Sequence, residues 1–167
     1  MRHTTHIEQS IGQLLMEKKL KLALAESCTG GLISHLITNI PGSSDYFLGS
    51  LVSYSYEAKQ KWLGVKKGTL VKYGAVSRET VIEMARGARS SFGIFFPQEQ
   101  VIGLSVSGIA GPGGGTADKP VGAVWIGLSA PGKEDAWYFI WQGNREENKQ
   151  QSAQKALEIL GEYLEAC

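Results

Sequence analysis

Two short apolar runs, each broken at its end by a glycine-bearing turn, set the narrowest limits on how this chain folds. Lys21-Leu-Ala-Leu-Ala25 runs into Ser27-Cys-Thr-Gly-Gly31, and Val101 to Ser107 runs into Gly108-Ile-Ala-Gly-Pro-Gly-Gly-Gly115. An apolar run of this length, stopped by turn formers, has the pattern of a strand buried on both faces. Such a strand needs helices on both sides of its sheet. Ile7, Ile11, Leu14 and Leu15 recur at helical spacing, with Thr5 and Glu8 at capping-box separation. Leu32, Ile33, Leu36, Ile37 and Ile40 mark a second helix, ended by Pro41-Gly42-Ser43-Ser44-Asp45. Ser77 is a good N-cap for a helix burying Val81, Met84, Ala85, Ala88 and Phe92. Asn144 caps a last helix with Ala153, Ala156, Leu157, Leu160 and Leu164 inward.

The remaining segments complete the sheet. Tyr46 to Tyr54 is aromatic and β-branched and predicts a strand, followed by a short helix over Ser55 to Leu63 that Gly64 stops. Val121 to Leu128 and Ala136 to Trp141 predict two strands joined at Pro131-Gly132. Helices and strands alternate early and a hairpin comes late. The expected fold is α/β: a three-layer α/β/α sandwich around a mixed β-sheet, parallel first and antiparallel later, in a single domain over residues 1–167.

Length and composition agree. One hydrophobic core serves ~100–200 residues, and this chain has 167, of which 43% are hydrophobic and 20% charged. Lys plus Arg total 17 against 16 Asp plus Glu, a net charge of +1. That balance argues against a nucleic-acid binder, which needs a basic face to displace counterions, but leaves room for a local anion pocket. No apolar run approaches the ~18 residues a membrane helix requires. Arg2, Glu8, Glu17, Lys18 and Lys19 interrupt the first twenty residues, unlike a signal peptide. Cys28 and Cys167 are too few for a disulfide framework, so a cytoplasmic chain is expected.

Three constellations carry candidate chemistry. The first is Ala25-Glu-Ser-Cys-Thr-Gly-Gly31, where a strand turns into a helix. A hydroxyl there lies beside unpaired N–H groups at the positive end of the helix dipole, which can stabilise an oxyanion. Ser27 or Thr29 can equally be a plain N-cap, with Gly30 and Gly31 shaping the turn. Neither a G-x-S-x-G elbow nor S-x-x-K surrounds Ser27, and His3, His6 and His35 offer no triad, so an activating base must come from elsewhere in the fold. Cys28 is an alternative nucleophile if the helix end lowers its pKa, or else a small buried hydrophobe. The second constellation is Ser53-Tyr-Ser-Tyr-Glu-Ala-Lys59. A partly buried Lys59 can act as base with Tyr54 or Tyr56 assisting, while a Glu57–Lys61 surface pair is the plainer reading of that helix. The third is Ser107-Gly-Ile-Ala-Gly-Pro-Gly-Gly-Gly-Thr116, whose amides can cradle a phosphate or carbonyl oxygen, or form a flexible connection. It has neither Walker A nor dinucleotide-binding order. Arg145, at the start of the last helix, suits phosphate recognition or simple solvation. No His, Cys, Asp or Glu cluster has metal-ligand spacing, and no cofactor is expected.

In order and together, these segments resemble the CinA C-terminal domain family, the nicotinamide-nucleotide amidases. The matching stretches are Ala25–Gly31, Pro41-Gly-Ser-Ser44, Tyr54-Ser-x-Glu-Ala-Lys59, Gly64-Val65, Gly74-Ala-Val-Ser77, Ser107–Thr116, Lys119-Pro-Val-Gly122 and Gly143-x-Arg145. The resemblance implies hydrolysis of nicotinamide mononucleotide to nicotinic acid mononucleotide and ammonia, in pyridine nucleotide recycling. It implies Ser27 as nucleophile, Lys59 as base and Tyr54 as an assisting residue. Thr29, Gly30, Gly31, Ser107, Gly108, Ile109, Ala110, Gly111 and Arg145 become the expected substrate-binding residues. The expected partners are a small-molecule nucleotide and further copies of the chain, with no nucleic acid and no membrane. Longer members carry an additional N-terminal domain, and this chain is similar to the stand-alone amidases. Tyr56 stands where the family commonly has Asn or Asp, which leaves open a non-cleaving nucleotide-binding module; Asn144 stands where Asp is common.

Overall fold

The computed structural model of the chain describes residues 6–167. Thr5 and His3 lie outside the described residues, and the cap position of the first helix falls on His6, which makes no side-chain capping bond. Helix α1 spans Ile7–Glu17, β1 Lys21–Glu26, α2 Leu32–Thr38, β2 Phe47–Val52, α3 Tyr56–Leu63, α4 Lys67–Tyr73 and α5 Arg78–Phe92. Then come β3 over Val101–Gly108, β4 over Ala123–Ala130, β5 over Lys133–Ile140 and α6 over Arg145–Ala166. The sheet order is β2-β1-β3-β4-β5. Strand β1 runs parallel to both β2 and β3, whereas β3/β4 and β4/β5 are antiparallel. The mixed three-layer sandwich follows from that order.

Alternation along β1 divides the core in two. Leu22 and Leu24 point toward α1, α2 and α6, where Ile11, Leu15, Ile33, Ile37, Leu157 and Leu160 are buried. Ala23 and Ala25 point to the other face, toward Leu63, Leu70, Met84 and Ala88 of α3, α4 and α5. A fully buried Leu or Ile contributes about 1.5–3 kcal/mol, so the first face supplies most of the apolar stabilisation. On the second face the sheet side is small, with Ala23, Ala25 and Gly103, which permits close approach. A Cβ at Gly103 would lie 2.0 Å from the Ala85 carbonyl oxygen, so α5 rests directly on the sheet backbone. A Cβ at Gly87 would lie 2.0 Å from the Leu63 carbonyl oxygen, which brings the end of α3 against α5. The position of α3 over the sheet therefore depends on α5 lying low. This matters because α3 carries Lys59.

The hairpin β4–β5 turns at Pro131-Gly132 and starts its second strand at Lys133, three residues earlier than its apolar pattern predicts. Trp125 faces Tyr138 across it with ring centroids 5.1 Å apart, a cross-strand pair contributing roughly 0.2–1 kcal/mol. Helix α4 is absent from the sequence expectation. It buries Leu70 and leaves Val71 exposed, so no apolar stripe announces it. No helix among the described residues is long and apolar enough to cross a membrane.

Candidate active site

The carboxyl ends of β1, β2 and β3 lie side by side. Glu26 is in register with Val52 on one side and Val106 on the other, so Ser27, Ser53 and Ser107 follow at one level. The Ser27 N–H donates to the Val106 carbonyl at 3.0 Å, and the Ser53 N–H donates to the Glu26 carbonyl at 2.9 Å. The carboxyl edge of parallel strands is where open α/β sheets bind ligands. The Ser53 and Ser107 hydroxyls are buried with no partner among the described residues.

Helix α3 begins at this edge. The Ser55 hydroxyl caps it by accepting from the Ala58 N–H at 3.1 Å. One turn in, the Lys59 side chain folds back toward the sheet. Its Nζ donates to Ser27 Oγ at 2.9 Å, to the Ser53 carbonyl at 2.7 Å and to the Tyr54 carbonyl at 3.3 Å. Lys59 is 1% exposed and Ser27 7%. Among the described residues no carboxylate pairs with this ammonium. Removal from water disfavours the charged form, and burial lowers the Lys59 pKa to about 8. The Glu57–Lys61 alternative does not appear among the ion pairs of the described residues.

Glu26 holds the turn that presents Ser27. Its carboxylate is fully buried and faces the start of α2. One oxygen accepts from Thr29 Oγ1 at 2.7 Å, the Gly31 N–H at 3.0 Å and the Ile33 N–H at 3.1 Å. The other accepts from the Ser34 N–H at 2.9 Å and from the Ser34 and Ser50 hydroxyls. The start of α2 is thus neutralised internally, and the Thr29 hydroxyl faces Glu26. The Gly30 N–H donates to the Ser27 carbonyl at 3.0 Å, which leaves the Thr29 N–H without an acceptor among the described residues. The signal for Glu26 was present in the sequence: an acid just ahead of a helix N-terminus. Glu26→Gln turns one acceptor oxygen into an NH2 facing donors, stranding at least two of them at about 1–3 kcal/mol each. The expected result is a Tm at least about 4 °C lower, with turnover lost in parallel. Calorimetric unfolding checks it, and a Tm within a degree of wild type would refute the anchoring role.

Three other motif segments meet at Arg145. Its Nη2 donates to Tyr54 Oη at 2.9 Å and its Nη1 to the Gly111 carbonyl at 2.6 Å. Tyr54 is 60% exposed, so its phenol reaches Arg145 at the rim while its carbonyl serves Lys59. Asn148, unremarked in the sequence, is buried; it donates from Nδ2 to the Ala110 carbonyl at 3.1 Å and accepts from the Gly143 N–H. Within the glycine loop the Ile109 N–H is taken by the Ala123 carbonyl, and Gly108 closes β3 against Val124. Asn144 caps α6 as Asp would, accepting from the Glu146 and Glu147 N–H groups. Tyr56 turns its phenol to the Ala75 N–H at 3.2 Å, and Lys59 reaches Ser27 beside it. Burial pushes the Cys28 thiol up to about 12, the reverse of an activated thiolate. His35 is exposed and touches Asn39.

The model of the CinA C-terminal domain matches residues 4–164, nearly the whole chain. The chain belongs to the CinA C-terminal domain family. A CinA-like protein of Desulfosudis oleivorans is 50% identical over 159 residues, covering 95% of this chain and 37% of that protein. The chain spans less than two-fifths of the length of the curated relatives it matches. A CinA superfamily protein from Klebsiella pneumoniae superposes with a TM-score of 0.89 at 29% identity, covering 96% of this chain and 97% of the other. The competence/damage inducible protein CihA from Agrobacterium tumefaciens gives 0.80 at 35% identity, covering 96% and 97%. The CinA fold thus accounts for nearly all of both chains.

Proposed function

We propose that this CinA-family chain is an amidohydrolase that converts nicotinamide mononucleotide and water to nicotinic acid mononucleotide and ammonia, recycling pyridine nucleotides. The observation that carries the reading is the 2.9 Å contact between Lys59 Nζ and Ser27 Oγ, made by a buried amine with no counter-ion among the described residues. A surface or structural lysine has no reason to be buried on a serine hydroxyl. A base for that hydroxyl does.

Neutral Lys59 accepts the proton as Ser27 Oγ adds to the carboxamide carbon. The carbonyl oxygen takes the negative charge, for which the Thr29 N–H, two residues from Ser27 and without a backbone acceptor among the described residues, is the donor this reading assigns. Collapse of the adduct breaks the C–N bond, and the Lys59 ammonium returns its proton to the departing nitrogen as ammonia. A water then adds to the ester with Lys59 again as base, releasing the carboxylic acid and restoring Ser27. Tyr54 assists by position: its carbonyl holds the Lys59 amine and its phenol is held by Arg145.

The test is ammonia release from nicotinamide mononucleotide, with the acid product followed by chromatography. Turnover on the order of 1 s⁻¹ or faster is expected. Folded protein that binds the nucleotide and releases no ammonia would make the chain a binding module instead.

A further inference from the structure

Two of the five N–H donors of the Arg145 guanidinium are used within the protein, one by the Gly111 carbonyl and one by the Tyr54 hydroxyl, so Arg145 joins two loops at the rim and is held there. Four residues on, and therefore on the same face of α6, stands Lys149. The first turn of α6 is fixed to the glycine loop by Asn148, which also fixes the direction Lys149 takes. Its ammonium lies 3.9 Å from where a Cβ of Gly30 would be, beside the turn that carries Ser27. Lys149 is half-buried, and among the described residues it forms no ion pair. The nearby Glu147 carboxylate is engaged by the Asn144 N–H at 2.8 Å. The Lys149 charge is felt at Cys28, next to Ser27. The amides at the start of α2 cannot substitute for it, because Glu26 has taken them.

We propose that Lys149, set beside Gly30 in the turn that carries Ser27, binds the phosphomonoester of the substrate and makes the site select nucleotides over nucleosides. The proposal rests on the amidase reading for the identity of the ligand but not on its cleavage. An unpaired, half-buried ammonium facing a phosphate oxygen forms a charge-assisted hydrogen bond, about twice as strong as a neutral one. The nucleoside lacks the acceptor and leaves the ammonium unpaired, so discrimination comes from both compounds.

The test compares nicotinamide mononucleotide with nicotinamide riboside, which differs only by the phosphate. The ratio of their kcat/KM values is expected to fall at least tenfold in Lys149→Met and to recover to within threefold of wild type in Lys149→Arg. A ratio unchanged within twofold in Lys149→Met, or equal losses on both compounds, overturns the assignment. If wild type releases ammonia from neither compound, the amidase reading fails. The same comparison is then made by titration calorimetry. A nucleotide preference in binding that disappears in Lys149→Met upholds the phosphate site without the chemistry, whereas equal affinities or no binding of either compound overturns it.

Discussion

Ser27→Ala is expected to lower kcat for ammonia release by about 10⁴-fold or more, with the nucleotide still bound and the fold intact. The size follows from the role. Loss of an activated nucleophile removes the covalent route, and residual catalysis comes only from oxyanion donors and binding. Structural damage is small because the change deletes one buried oxygen. Lys59 keeps the Ser53 and Tyr54 carbonyls as acceptors, and the Ser27 main chain keeps its bond to Val106. A Tm within a few degrees of wild type should accompany the loss. Cys28→Ala should retain turnover, since that thiol is buried and held protonated. The opposite pattern, with Ser27→Ala active and Cys28→Ala dead, would move the nucleophile by one residue and remove the amine's role with it.

Much of this arrangement could be read along the chain, and what could not has a physical reason. Strands β1 and β3 were legible because burial on both faces leaves an uninterrupted apolar run, and α5 and α6 because Ser77 and Asn144 cap clear amphipathic stripes. Helix α4 was hidden: it buries one leucine, has Lys66 at its N-cap with no side-chain capping bond, and contains Gly68. The encounter of Ser27 with Lys59 is of another kind. It depends on the register of β1 against β2 and on α3 being drawn down by the glycine contacts of α5, none of which leaves a periodic trace. Spacing alone left Lys59 as readily a surface residue as a base, and only the resemblance of whole motifs joined the two. Arg145 is a third kind. Its position at a helix start suggested an anion, and the structure adds bonds that no spacing announced, to the Gly111 carbonyl and the Tyr54 hydroxyl of the two loops beside it.

Lys59→Met should cost roughly 10²–10⁴-fold in kcat, the span of a positioned general base, and Lys59→Arg should be no better because a guanidinium does not give up its proton near neutrality. The sharper signature is pH. With the Lys59 pKa lowered to about 8 by burial, the neutral amine is the minority form at neutral pH. The kcat/KM of wild type should therefore rise about tenfold per unit up to that pKa and level off above it. A flat profile across this range would assign the base elsewhere. Stability carries the same sign. The folded pKa of about 8 lies below the ordinary lysine value of 10.5. Between the two the unfolded chain holds a proton that the folded chain has released, so folding is favoured as pH rises through that window. Measured against Lys59→Met, which lacks the group, wild type should gain about 1.4 kcal/mol per pH unit there and nothing below it. Urea unfolding of both proteins at pH 7, 8.5 and 10 reads this difference directly. A difference that is constant with pH would mean that the amine ionises in the fold as it does in water, and such an amine cannot serve Ser27 as a base near neutral pH.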